Sequence, residues 1–292
     1  MRVVLLHNPG SGGPGPDEAD LREVVTAAGH EMDHRSVKDE GWEEALDGAY
    51  DLVAIAGGDG TVHDVCTALA GTAATVTIIP LGTANNVERS LGISVDDPLA
   101  TIAGWSSARR RRLDLPLATI GDRTLRFVES VGAGFLGDLL VATEDGPGGG
   151  DSGMSHGLSE LAGVVASAAV QDWEVAIDGD VVSAELFACE ITNVGTVGPG
   201  VVVAPEADPG DGLVEVVMMP PETRAGLVDH LLACARGARS APPPLPVRRG
   251  RHVELRPPPG CRLHVDDELV EAAARFIGVM IDGTSLEVLV PS

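Results

Sequence analysis

The chain is poor in aromatic side chains: Phe, Trp and Tyr make up 3% of its 292 residues. Base-stacking platforms for nucleic acid are hard to build from so few rings. Lysine is nearly missing as well, with Lys38 standing alone among arginines. The 20 Lys and Arg against 44 Asp and Glu leave a net charge of −24, so a phosphate backbone is repelled over most of the surface and no nucleic-acid partner is expected. Cysteine is scarce and scattered. Cys66, Cys189, Cys234 and Cys261 form no CxxC pair, so neither a zinc site nor a disulfide framework is expected. Reduced thiols and a cytoplasmic setting follow as the default. Long apolar runs are missing too. No segment approaches the roughly 20 residues needed to cross a bilayer, and the apolar run in "MRVVLLHNPG" is too short for a secretory signal.

What is present is ample aliphatic material. Hydrophobic residues make up 44% of the chain, enough for two cores built from Val, Leu, Ile and Ala. The first third alternates strand and helix patterns. "RVVLLHNP", "HEMDHRSV", "YDLVAIAGG" and "TVTIIPLG" read as strands. "DEADLREVVTAAG", "WEEALDG", "TVHDVCTALAG" and "NNVERSLGI" read as helices between and after them. That alternation with short loops predicts a doubly wound parallel sheet over residues 1–113. The texture changes at "RRRRLD", where Arg109 to Arg112 mark a junction. Short alternating runs then predict an antiparallel β-rich domain over 114–292, whose extreme end packs back on the first domain. "GLSELAGVVASAAV" and "TRAGLVDHLLACARG" are its helices. "EDGPGGGDSG" and "SAPPPLPVRRG" read as mobile loops.

Ligands of such sheets sit beyond the carboxyl ends of the strands, and three backbone-rich loops fall there. They are "HNPGSGG" at 7–13, "GGDGTVHDV" at 57–65 and "PLGTANN" at 80–86. Gly57, Gly58 and Gly60 allow positive φ and let a ligand approach the main chain. The following helix aims free N–H groups and a positive dipole end at the same spot, which suits a phosphate chain. Asp59 would repel phosphate unless a divalent cation stands between them. Thr61 can cap the helix and offer a hydroxyl. There is no GxxxxGK[ST] motif and no GxGxxG after the first strand, which argues against a P-loop ATPase and a dinucleotide dehydrogenase.

These three loops together resemble the diacylglycerol kinase catalytic fold, and the chain is similar over nearly its whole length to the bacterial soluble diacylglycerol kinase and YegS-type lipid kinase family. "VGAGFLGD" at 131–138, "APEADPGDGLVEVVMM" at 204–219 and "LHVDDELVEA" at 263–272 carry the resemblance through the second half. It implies an ATP-dependent, Mg2+-assisted kinase acting on a lipid hydroxyl, with a cleft between two domains. By similarity ATP meets Asn8, Pro9, Gly10, Ser11, Gly12, Ser36, Gly57 to Asp64 (with Thr61, Val62 and His63 among them) and Thr83. Asp59 and Asp114 serve the Mg2+ network, and Glu268 is the general base. Asp208, Asp211 and the carbonyl of Leu213 form a structural Mg2+ site. The lipid is met at a membrane surface by peripheral contact, and an exposed sheet edge offers a route to a homodimer.

Three departures stand out. The late motif reads Asp266-Asp267-Glu268 where the family has Asp-Gly-Glu, an aspartate being tolerant of the positive φ this turn needs. Asn85-Asn86 stands for the usual Asn-Asp, which removes a carboxylate. The lysines that relatives place near the phosphates are absent. NAD kinase, which shares "GGDGT", and a nucleotide-binding homologue without kinase activity are the competing readings.

Overall fold

The computed structural model describes residues 1–13, 15–143, 150–270 and 276–292. The first part of the glycine-rich loop at 144–153 and the end of the 263–272 motif lie outside the described residues.

The buried aliphatic runs form the strands β1 (Arg2–His7), β2 (Glu31–Ser36), β3 (Leu52–Gly57) and β4 (Thr75–Pro80). Helices α1 (Glu18–Ala27), α2 (Asp59–Ala68), α3 (Asn86–Leu91) and α4 (Ala100–Ala103) connect and flank them, with a 3-10 turn at Trp42–Asp47. Helix α1 starts where the sequence places it because Asp17 and Asp20 exchange backbone and side-chain hydrogen bonds in a capping box. β1 pairs in parallel with β2 and β3, and β3 with β4, so the sheet is parallel at its centre. Alternate side chains serve opposite faces: Val4, Leu6 and Ile55 pack with Val62, Val65 and Leu91, while Val3, Leu5 and Ala54 pack with Leu21, Val25 and Ile102. Both faces are thus covered, as doubly wound sheets require.

The "RRRRLD" segment is itself a strand, β5 (Arg109–Asp114), at the edge of this sheet. The second half then lays down β6 (Leu117–Ile120), β7 (Arg123–Arg126), β8 (Ser130–Ala133), α5 (Phe135–Ala142) and α6 (Gly150–Ser167). There follow β9 (Gln171–Ile177), β10 (Asp180–Leu186), β11 (Ala188–Thr192), β12 (Thr196–Val197), β13 (Val201–Val202), β14 (Val214–Met219) and α7 (Arg224–Ala235). The chain closes with β15 (Val247–Gly250), β16 (His252–Arg256), β17 (Leu263–Val265), β18 (Glu268–Val270), β19 (Ile277–Met280) and β20 (Ser285–Val290).

Two sheets, ordered β10-β9-β16-β19-β6-β7 and β15-β14-β11-β8-β17-β18, face each other across a core that includes Trp173, Val175, Ile191 and Val216. The outer face of the second sheet is covered by α5, α6 and α7 through Phe135, Leu161 and Leu227. The fold is an α/β domain joined to an antiparallel sandwich. The final strand β20 returns to the first sheet and lies between β4 and β5, parallel to one and antiparallel to the other.

Candidate active site

The three loops at the carboxyl edge of the first sheet are tied to one another. Asn8 Nδ2 donates to Thr61 Oγ1 at 3.0 Å, joining the first loop to α2. The carboxylate of Asp59 accepts the backbone N–H of Asn85 at 2.9 Å and of Asn86 at 2.7 Å, joining α2 to the third loop. The loops also touch main chain to main chain. A Cβ on Gly82 would lie 2.5 Å from Gly58 Cα, and one on Gly12, at φ +68°, would lie 2.0 Å from the Leu81 carbonyl oxygen. Gly57, Gly58 and Gly60 are therefore needed for close approach, and none of them adopts the positive φ that the sequence reading assigned to them. Gly58 is the N-cap of α2 and no side chain caps that end; the hydroxyl of Thr61 is engaged by Asn8 instead. Ser36 ends β2 opposite His7, with its Oγ accepting the Lys38 N–H at 3.1 Å.

Beside this edge lies a cavity of about 310 Å³ between the two domains. Its lining includes the polar residues Asp59, Thr83, Asn86, Glu129, Asp266 and Asp267, with Gly60, and the apolar residues Val87, Val128, Leu136, Leu139 and Leu140. Four carboxylates thus meet one small space. Asp266 sits at φ +48°, and its carboxylate accepts the N–H groups of Val128, Glu129 and Ser130, each at 2.9 Å. The left-handed residue of this turn is Asp266, not the Asp267 that occupies the family's glycine position. Asp266 also takes a hydrogen bond from His63 Nδ1 at 2.5 Å, so helix α2 of the first domain is fastened to the second. Burial works against a charged His63, but the Asp266 carboxylate outweighs it and raises the ring's pKa. Glu129 accepts from Asn86 Nδ2 at 3.0 Å and from the Gly198 N–H at 2.6 Å. Burial first, then the charges of Asp59 and Asp266, push its carboxyl well above the usual range. Burial likewise raises Asp59, against the pull of the N–H groups it accepts. Burial raises Asp267, with Asp266 adding to it.

Several expected site residues fall elsewhere. Glu268 begins β18, is 58% exposed in its side chain and pairs with Arg123 at 3.0 Å. Asp266 and Asp267 make the turn that lines the cavity, and Glu268 is already the first residue of the outgoing strand. Asp114 is buried away from Asp59. Its carboxylate accepts the Gly212 N–H at 2.8 Å and pairs with Arg112 at 2.6 Å, so it braces the 208–213 turn and does not line the cavity. In that turn Asp208 is paired with Arg111 at 2.7 Å, Asp211 with Arg249, and Asp211 also accepts the Leu213 N–H at 3.0 Å. The two carboxylates expected to wrap a cation with Leu213 are thus each paired with a guanidinium group. Val62 is fully buried and its N–H bonds back to the Gly58 carbonyl. Asp64 is exposed on α2, outside the cavity. Arg110, Arg111 and Arg112 are all ion-paired along β5, and none of them lines the cavity.

The sequence reading missed Glu129, Asp267 and Glu88. The signal for Glu129 was an acid inside an apolar strand-like run, "FVESVG", with Asn86 elsewhere lacking its carboxylate. The fold brings the two together, so Glu129 supplies a carboxylate where position 86 has lost one. Glu88 lies on α3 fully buried, and neither carboxylate oxygen has a hydrogen-bond partner. Burial, with Asp59's charge beside it, holds its pKa well above the ordinary value.

Comparisons with known proteins bear on the family and the fold. Residues 2–117 match the model of the diacylglycerol kinase catalytic domain, and residues 154–288 that of the YegS C-terminal NAD kinase beta sandwich-like domain. A Pseudomonas aeruginosa protein named "Probable lipid kinase YegS-like" is 30% identical over 262 residues, covering 82% of this chain and 78% of the relative. A Mycobacterium tuberculosis diacylglycerol kinase is 25% identical over 256 residues, covering 85% and 78%. Among solved structures, a Bacillus anthracis diacylglycerol kinase shares the fold with a TM-score of 0.67 at 15% identity, over 99% of this chain and 96% of that one. An Archaeoglobus fulgidus NAD kinase solved with ATP gives 0.50 at 12% identity, over 100% and 94%.

Proposed function

The chain belongs to the diacylglycerol kinase and YegS-type lipid kinase family, and on that premise we propose that it transfers the γ-phosphate of ATP to a hydroxyl group of a lipid. The observation that carries this reading is the cavity beside the three stapled loops, lined by both carboxylates and aliphatic side chains. The loops offer Asn8, Pro9, Gly10, Ser11, Gly12, Gly58, Gly60 and Thr83 to the phosphates, and the N-terminus of α2 adds its dipole. The apolar lining residues Leu136, Leu139 and Leu140 suit the first carbons of a lipid chain.

Phosphoryl transfer asks mainly for positioning and charge stabilisation, plus a group that accepts the hydroxyl proton. Of the cavity carboxylates, Asp59 and Asp266 are each engaged by backbone N–H groups, while Asp267 lies against Gly60 at the start of α2. Its raised pKa moves it toward the range in which a carboxylate takes a proton well at neutral pH. We assign the general-base role to Asp267 in place of Glu268.

Among the described residues no three His, Cys, Asp or Glu side chains form a ready metal cage. Mg2+ does not need one, because it is commonly held by one or two carboxylates with substrate phosphates completing the shell. The donor set fits it: Asp59, Glu129 and Asn86 Oδ1, a buried oxygen with no donor of its own. Mg2+ bound there would neutralise charge on the phosphate oxygens.

Among the described residues no helix is long and apolar enough to cross a membrane. Contact with lipid is on this reading peripheral and made from the cytoplasm, and a homodimer would form through a free sheet edge. The test is purified protein with Mg2+ and γ-labelled ATP, offered diacylglycerol, monoacylglycerol, sphingosine, phosphatidylglycerol and NAD. Label in a lipid is the expected result. Label in NAD alone moves the protein to the NAD kinase reading that the shared fold supports. ATP binding without transfer to any acceptor favours a nucleotide-binding homologue without kinase activity.

A further inference from the structure

Behind the cavity, inside the second domain, two polar side chains meet with no exposure to solvent. Glu190 on β11 and His264 on β17 both stand opposite Gly132, which lies on β8 between them. Because Gly132 has no side chain, the two reach across it: His264 Nε2 lies 2.8 Å from Glu190 Oε2, with both side chains 0% exposed. A Cβ on Gly132 would lie 2.2 Å from that same oxygen. The other ring nitrogen, Nδ1, is 3.0 Å from the carbonyl oxygen of Asp266. A carbonyl oxygen only accepts, so Nδ1 carries a proton there, and Nε2 shares a second proton with Glu190.

We infer that Glu190 and His264 are a positioning pair that fixes the Asp266–Asp267 turn against the catalytic cavity. The chain of contacts is short. Glu190 orients the ring, the ring holds the Asp266 carbonyl, and the Asp266 N–H in turn bonds the Ser130 carbonyl at 2.7 Å. That pins Asp266 at its positive φ, with its carboxylate on three N–H groups and on His63 of α2. Asp267, the next residue, is thereby aimed at Gly60.

Stability alone gives little reason for such a pair. A buried ion pair seldom stabilises more than apolar residues of the same volume would, while orientation is a use that apolar residues cannot serve. The pattern parallels a histidine ligand oriented by a carboxylate, with a carbonyl in place of the metal. Burial disfavours a charged His264, yet Glu190 outweighs it and keeps the ring's pKa raised.

The inference rests on the cavity being the site of transfer, so its test needs a readout that does not. Three changes separate orientation from packing. Glu190→Leu with His264→Phe replaces the pair by apolar groups and is expected to fold. Gly132→Ala leaves both polar groups in place and pushes Glu190 away. Glu190→Gln keeps a donor for Nε2 and leaves Nδ1–H on the carbonyl.

The measurements are the NMR titration of His63, amide exchange of Val128 to Ser130, melting temperature, and kcat against KM for ATP. In the double variant and Gly132→Ala the expected result has three parts. The His63 midpoint moves down, exchange of the three amides speeds up, and kcat falls on the order of tenfold to a hundredfold with KM for ATP little changed. Glu190→Gln restores all three. A lower melting temperature with His63 and the amides unmoved would mean the pair only fills space, and the inference falls. It falls equally if Glu190→Gln behaves like the double variant. If His63 and the amides respond but no acceptor is phosphorylated in the unaltered protein, the pair is established as holding the turn and the kinase reading is what fails.

Discussion

At the scale of single residues, chemistry at this site turns on which carboxylates the fold faces inward. Asp267→Asn is expected to lower kcat at least a hundredfold, the usual reach of a lost general base, while Glu268→Gln changes it less than twofold. Steady-state turnover of the two variants decides between neighbours. Glu129→Gln removes the ionisable group and sets an amide N–H against either Asn86 Nδ2 or the Gly198 N–H, so the Mg2+ concentration needed for half-maximal turnover should rise and the melting temperature should fall modestly. Glu88 is a different case, since it is buried without a partner. Glu88→Met should raise stability by about 1–3 kcal/mol in denaturant titrations, because an unsatisfied polar group leaves the core. Residue types alone did not separate these acids: Asp59, Asp114 and Glu129 are single carboxylates near apolar runs, Asp267 is one of three in a row, and only their partners distinguish their work.

At the scale of elements, the three loops behave as one body because their backbones touch. Gly82→Ala should disrupt them, since its Cβ would meet Gly58 Cα at 2.5 Å and Asn85 Oδ1 at 2.7 Å. The expected outcome is a loss of about 2–4 kcal/mol in stability and loss of ATP affinity by calorimetry, with the sandwich domain still folded by circular dichroism. Strands β1 to β4 and helices α1, α2 and α3 were legible from periodicity and glycine stops, because each is set by local pattern. β5 was not. Its four arginines read as a junction, yet β20 pairs with it in register from Arg109 to Asp114. Pairing over so long a sequence separation leaves no local trace. The same holds for the ion pairs from Arg111 and Arg249 that occupy the turn expected to hold a metal.

At the scale of the whole molecule, charge bears on stability and, on the proposed lipid-kinase reading, on contact with a lipid surface. Glu88, Glu129 and Glu190 have folded pKa values raised by burial, and burial lifts Glu215 to about 7. A raised acid binds its proton in the folded state and releases it on unfolding above its ordinary pKa. Its contribution is complete below that value and is lost as pH rises. His63 and His264, also raised, act in the same direction. The lowered pKa values of His7 and His34 oppose this only below about pH 6.5. The melting temperature of metal-free protein should therefore fall from about pH 6.5 to pH 8.5, with a shallower slope for Glu88→Met. The net charge of −24 adds a second expectation. Turnover of a lipid acceptor in vesicles should drop as the anionic lipid fraction rises and recover with added salt, because screening shortens the repulsion. Turnover independent of both would mean that a local surface, not net charge, controls docking.

The sequence by itself determined the class of fold, the three glycine-rich loops and the family to which they belong. Those features rest on short spacing: period of two or 3.6, a glycine where a backbone must come close, an acid at a helix start. Tertiary structure alone decided which acid faces the cavity, that Asp59 staples the third loop, that Asp114 braces a distant turn, and that Gly132 lets Glu190 reach His264. Each of these depends on strands far apart in the chain becoming neighbours, and on the side of the strand to which a residue then points.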